Sequence, residues 1–205
     1  MDVLNLIIAL ILALTVHEFA HALVGDWLGD RTARNEGRLS LNPLSHIDPV
    51  MTLALPVLLI LLHSPVVFGA AKPVPFNPWA LRYKEWGVAL VAAAGPASNL
   101  IMAIFFAAWL HFVPISQGAV GLFIAIISIN VSFAVFNLIP IPPLDGSRIL
   151  YAAVPPLRSA MDTLERHGLL IVFGLLFLAG PLLFPIISTV TGAILQLLIP
   201  GLTSL

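Results

Sequence analysis

The sequence predicts an all-α integral membrane fold, a polytopic helical bundle with a three-span core and one re-entrant or extended element. Three observations carry that expectation. Hydrophobic residues make up 60% of the 205-residue chain and charged residues only 9%, against roughly 45–50% and 25% in soluble proteins. So few charges cannot cover a water-facing surface. Three apolar stretches are each long enough to cross a hydrocarbon core of about 30 Å, and the basic residues fall between apolar runs, as in membrane loops. Residues 1–205 read as a single membrane-embedded domain.

The same composition excludes several classes. A net charge of -1 leaves no basic footprint for nucleic acid. The absence of cysteine rules out disulfides and thiolate metal ligands. Met1-Asp2 leads straight into an apolar run, without the basic region and cleavage site of a secretory signal. The first apolar segment is therefore expected to be retained.

The elements follow in order. Residues 3–25 form a first span, at about 1.5 Å of rise per residue. Its first half is nearly pure Leu, Ile, Ala and Val, and its second half holds His17, Glu18 and His21. Residues 26–49 are polar, with Arg31, Arg34 and Arg38. Residues 51–62 are apolar but short and are interrupted by Pro56, as re-entrant segments are. Residues 66–75 carry β-branched side chains and then Pro73 and Pro75, which predicts an extended segment.

Residues 87–112 are a second span containing Gly95-Pro96-Ala97-Ser98-Asn99, and residues 118–138 are a third, bearing Asn130, Ser132 and Asn137. Pro140, Pro142 and Pro143 must break the helix after it. Residues 147–167 mix charged and apolar residues and read as a surface helix pair broken at Pro155-Pro156. Residues 168–200 carry no charge, and Pro181 and Pro185 are expected to divide them into two pieces, each short for a crossing. These are either two thin or tilted spans, or one span plus an interfacial helix.

The basic residues set orientation. Arg31, Arg34, Arg38, Lys72, Arg82, Lys84, Arg148, Arg158 and Arg166 are expected on the cytoplasmic side of a cell membrane, and the uncharged loop near Pro114 outside. The stretch 51–75 must then dip into the bilayer and return.

The chemistry is concentrated at His17-Glu18-Phe19-Ala20-His21. Helical residues four apart lie about 40° apart in azimuth and one turn apart in height, so both imidazoles can reach one metal ion. Glu18 sits about 100° round from His17, close enough to serve as a base without ligating. A charged side chain at mid-membrane costs roughly 2.5–3.5 kcal/mol on insertion scales. Two histidines and a glutamate in five membrane residues call for a buried partner, and one Zn2+ ion per chain satisfies all three. A catalytic zinc takes three protein ligands and keeps one position open. Asp145, at the same depth after the proline break, is the candidate for the third. The alternative for Asp145 is a cap on the helix starting near Gly146.

His17-Glu18-Phe19-Ala20-His21, followed downstream by Asn137-Leu138-Ile139-Pro140-Ile141-Pro142-Pro143-Leu144-Asp145-Gly146, resembles the site-2 protease family of intramembrane zinc metalloproteases. Gly95-Pro96-Ala97-Ser98-Asn99 resembles that family's G-x-x-x-N segment, and residues 37–49 and 68–77 resemble its compact prokaryotic branch, which lacks a PDZ domain. The likeness runs over about residues 3–151. It implies zinc held by His17, His21 and Asp145, Glu18 as base, and Asn137 steadying the substrate carbonyl or oxyanion. It also implies hydrolysis of peptide bonds in membrane-anchored proteins, within or next to the bilayer.

Asn99 reads either as a substrate contact or as a helix-packing residue beside Gly95. His46, His63, His111 and His167 read as structural or interfacial. Residues 66–75 are the candidate edge for holding an unwound substrate by strand addition. Expected partners are a membrane-protein substrate and the lipid bilayer, with either a homo-oligomer or a separate regulatory partner. Two rival classes remain at this stage, a zinc or proton transporter and a metal-bearing membrane scaffold. Neither needs a free glutamate beside the ligands.

Overall fold

The computed structural model describes residues 2–63, 71–157, 164 and 167–200. It is all-helical, with no β-strand among the described residues. The described helices are α1 (Val3–Trp27), α2 (Thr32–Asn35), α3 (Leu55–Leu61), α4 (Glu85–Phe112), α5 (Gln117–Asn137), α6 (Asp145–Ala153), α7 (Gly168–Phe177) and α8 (Gly180–Leu198). Helices α1, α4, α5 and α8 are long and apolar enough to cross a membrane, which makes this a multi-pass membrane protein. The spans expected at 3–25, 87–112 and 118–138 are α1, α4 and α5 to within two residues at each end.

The C-terminal expectation needs correcting in where the break falls. The chain breaks at Leu178 and Ala179, and Pro185 lies inside α8 without ending it. Pro181 occupies the first turn of α8, where a missing N–H leaves no helical bond unmade. The carbonyl that the Pro185 ring opposes belongs to that same first turn. The result is one span-length helix of 19 residues and one short helix of 10.

The bundle core is built from small residues. Ala9, Ala13 and Ala22 of α1, Ala89, Ala92, Ala103 and Ala107 of α4, and Ala125 and Ala134 of α5 are all buried. Leu4, Ile7, Ile8, Leu10, Ile101, Ile104 and Phe105 point outward. Lipid tails are as apolar as leucine, so burying leucine gains little there. Close backbone approach gains dispersion contacts instead, and alanine permits it. Helix α4 is central, packing against α1, α5 and α6, while α8 lies on α5. An apolar groove of about 260 Å³, lined by aliphatic side chains that include Leu100, Leu138, Ile139, Ile187 and Val190, separates α8 from α4 and α5.

The polar loops gather at the C-terminal end of α1. Asp30 is buried and accepts from the Thr32 N–H and hydroxyl, and from the Asn77 N–H at 2.6 Å. The Arg82 N–H donates to Leu28 O at 2.9 Å, and the Lys72 N–H to His46 O at 2.9 Å. Arg38 is buried and donates to Lys72 O. The chain therefore leaves this end near residue 48 and is back by residue 72.

Between them lie a π-helical turn, Pro49–Ala54, and α3, together too short for a crossing. Asp48 opens that turn, and the Met51 and Val50 N–H groups hold its carboxyl below the ordinary carboxylate range. The proposed edge segment 66–75 falls partly outside the described residues. Its described part, from residue 71, has no regular secondary structure and joins no sheet.

Candidate metal centre

His17 and His21 lie on the inner face of α1, about six to ten residues from its C-terminal end. The opposing face of α4 is drawn by residues at a spacing of four: Val91, Gly95 and Asn99. Each fits one part of the pair. The His17 Nδ1–H donates to Asn99 Oδ1 at 2.7 Å. The His21 Nδ1–H donates to the Val91 carbonyl at 2.7 Å. Gly95 lies between these contacts. A methyl group at Gly95 would sit 2.5 Å from His21 Nε2 and 2.6 Å from His17 Nε2. Glycine leaves that space open.

Asp145 arrives from a different part of the chain. Helix α5 ends at Asn137, where Pro140, Pro142 and Pro143 forbid its continuation. Asp145 then opens α6, but its side chain makes no capping bond. Capping therefore does not account for it. Gly146 permits the approach, because a Cβ there would overlap the carbonyls of Leu138 and Ile139. Helix α6 is thus seated directly on the end of α5.

The consequence is a tight group of three acceptors. Asp145 Oδ2 lies 3.2 Å from His17 Nε2 and 3.4 Å from His21 Nε2. One ligand atom from each residue falls within 4.8 Å of the others. Despite this proximity, Asp145 Oδ2 is buried without a directed hydrogen bond. With both Nδ1 atoms donating elsewhere, the two Nε2 lone pairs face the carboxylate.

Such a group requires positive charge at its centre, and a metal cation of tetrahedral habit with N and O ligands fits the set. Among the described residues this is the group of three titratable ligands so arranged.

The other expected residues are placed as follows. Glu18 is buried. Among the described residues no hydrogen bond or ion pair engages its carboxylate. Asn137 closes α5 half-buried and donates to Phe133 O at 2.9 Å. No hydrogen bond joins it to the histidines or Asp145 among the described residues. Phe133 lies edge-on to His17, with ring centroids 4.9 Å apart.

Asn99 corrects the substrate-contact reading. It is wholly buried, and its oxygen and both amide protons are engaged inside the bundle. It is therefore not open to a substrate chain. His46 is wholly buried and bonds Ser40 O, as a structural histidine. Sequence reasoning missed Asn130, which is wholly buried behind Asn99. It also missed the roles of Val91 O and Gly95. The four-residue spacing of Val91, Gly95 and Asn99 was the available signal, matching the spacing of the two histidines.

Two histidines and an aspartate gathered inside membrane helices, with an unpaired glutamate next to the first histidine, define a membrane metallohydrolase by class. The comparisons with known proteins make this specific. The profile of Peptidase family M50 matches residues 113–181. The chain is 39% identical to "Putative zinc metalloprotease YwhC" of Bacillus subtilis (strain 168), over 94% of this chain and 90% of that protein.

It is 34% identical to "Putative zinc metalloprotease Rip2" of Mycolicibacterium smegmatis, over 81% of this chain and 64% of that protein. It is also 34% identical to the Rip2 protein of Mycobacterium tuberculosis (strain ATCC 25618 / H37Rv), over 71% of this chain and 54% of that protein. No solved structure matches. The chain belongs to peptidase family M50 and is a zinc metalloprotease.

Proposed function

We propose that this protein hydrolyses peptide bonds of membrane-anchored proteins within or next to the bilayer, with one zinc ion held by His17, His21 and Asp145. The observation that carries this reading is the set of three acceptor atoms within 4.8 Å, with no hydrogen bond satisfying the buried Asp145 Oδ2. Zinc at such a site acidifies water and polarises a carbonyl.

The chain's own residues do the rest. Glu18 is unpaired, so its carboxylate is free to take the proton of the attacking water and later pass it to the leaving amine. The Asn137 amide, at the end of α5, gives one proton to Phe133 O and has a second to donate to developing negative charge on the substrate oxygen. Gly95 keeps the space before the two Nε2 atoms clear. A substrate helix must unwind first, because its amide carbonyls are otherwise hydrogen-bonded and shielded. The histidines lie about 9–15 Å from the C-terminal end of α1, at 1.5 Å per residue. The scissile bond is thus met at shallow depth.

We also read the protein as a cell-membrane enzyme whose polar loops, and hence its site, face the cytoplasm. The buried Arg38 is a poor reporter of this, but Glu36 and Arg82 are exposed at the same end of the bundle. The chain has no cysteine, so Glu36→Cys and Arg82→Cys can be labelled without background. Both are expected to react from the cytoplasmic side, and Ser116→Cys from the other. Reaction of the first two from opposite sides would remove the re-entrant topology.

The decisive experiment on chemistry is Glu18→Gln. It preserves all three ligands and a nearly isosteric side chain but removes the base. Zinc content should be unchanged, and cleavage of a co-expressed single-span membrane protein should fall roughly 10²–10⁴-fold. Native-rate cleavage by a zinc-loaded Glu18→Gln enzyme would overturn the mechanism.

A further inference from the structure

Behind His17 runs a chain of buried amides whose direction is not free. Ile126 O and Ala13 O are backbone carbonyls and can only accept. Asn130 therefore turns its Nδ2 to Ile126 O, at 2.8 Å, and presents Oδ1 to Asn99. Asn99 meets that oxygen with Nδ2 at 2.8 Å and gives its other amide proton to Ala13 O at 3.0 Å. With both protons used, only Asn99 Oδ1 is left for His17 Nδ1, 2.7 Å away. An oxygen can only accept there, so Nδ1 carries the hydrogen and Nε2 keeps its lone pair. Asn99 and Asn130 are each 0% exposed, so water cannot substitute for either.

We propose that Asn99 and Asn130 are positioning residues that lock His17 in the tautomer whose Nε2 faces the metal. The proposal rests on the zinc reading above and adds the element that sets the ligand's proton. It also separates the two histidines. His21 is fixed by the Val91 backbone carbonyl, which no substitution removes. His17 is fixed by a side chain and is the ligand that mutation can turn. Without Asn99, the His17 Nδ1–H loses the acceptor it has. The ring then relieves this by rotating, or by moving its proton to Nε2, against the cation.

The test is zinc affinity, measured on purified full-length protein in lipid nanodiscs by competition with a chromophoric chelator. Partners that orient a metal-binding histidine typically contribute 10–100-fold to metal affinity. Asn99→Leu, similar in volume, should lose roughly that much. Asn99→Asp should lose less than about tenfold. As the neutral acid, it still accepts from His17 with one oxygen and donates with the other. Asn130→Leu should lie between native and Asn99→Leu, because Ala13 O still orients Asn99.

A purely structural role would not produce this rescue by aspartate. Nor would it shift the visible absorption of the cobalt-substituted enzyme, which Asn99→Leu should do. If Asn99→Leu does not fold, histidine 15N NMR of the zinc-loaded native protein decides. His17 should bind through Nε2 and show a slowly exchanging Nδ1–H. Binding through Nδ1, or an Asn99→Leu affinity within twofold of native, would overturn the proposal. A native protein that takes up no zinc, or keeps it in Asp145→Ala, would instead overturn the zinc reading on which the proposal stands.

Discussion

Helices α1, α4, α5 and α6 and the C-terminal pair α7 and α8 are both rich in apolar residues, yet they are built on opposite plans. In the first group, small residues and amides face inward. Forty-four per cent of the most apolar window of α4 is buried, against 6% in α8. In the second group the large side chains face outward, and Leu170, Leu182 and Leu197 are 69%, 76% and 82% exposed. Apolar length is enough to place a helix in lipid. Holding a polar centre there needs a second property, which is close backbone approach with the supporting polar groups paired. The paired amides of Asn99 and Asn130, the back-bonded hydroxyl of Thr15 and the glycines at 95 and 146 belong to that second property.

The contrast can be broken or sharpened by small changes of volume. The largest effect is expected from Gly95→Ala. Its methyl group would occupy the space before both Nε2 atoms, and overpacking costs about 1–3 kcal/mol. Zinc affinity should fall roughly tenfold to a hundredfold, and cleavage with it. Native affinity in that variant would mean that the face of α4 is not a wall of the site.

Gly146→Ala should come next. Its Cβ opposes the Leu138 and Ile139 carbonyls, so α6 must shift and carry Asp145 from the histidines. A zinc affinity lower by about tenfold, with native helix content by circular dichroism, is the expected result. The smallest effect belongs to Leu182→Ala, on the lipid face of α8. Stability should change by less than about 0.5 kcal/mol, with zinc content and cleavage rate unaltered. A large loss there would show that α8 is as tightly integrated as α4.

The two plans were unequally legible in the sequence. Uniform apolar runs of full membrane length admit one reading, so α1, α4 and α5 were expected with nearly their observed ends. His17, Glu18, His21 and Asp145 stood out because charge and imidazole are costly in lipid. Asn99 and Asn130 were harder. A lone amide in a span is compatible with packing, substrate contact or orientation of a neighbour, and only the partner across the interface decides.

The break before α8 was misplaced for a related reason. Proline marks a possible helix boundary, but its effect depends on how many residues of helix precede it. Pro181 and Pro185 differ little by sequence alone. They fall early enough in α8 that neither interrupts it. The lone Asp145 was ambiguous between capping and ligation until α6 was found seated on α5 without a cap.

The origin of the site in two distant segments also governs when the enzyme can exist during its own synthesis. The histidine helix emerges from the ribosome before α4 and α5, and Asp145 follows only after they have been made. A nascent chain carrying α1 alone has two of the three proposed ligands and no α4 to orient the imidazoles. It passes through the insertion machinery, among other unfolded membrane segments, without a working centre. Docking of α6 through Gly146 is the late event that completes the site. A metalloprotease is thereby kept inert while surrounded by newly made chains.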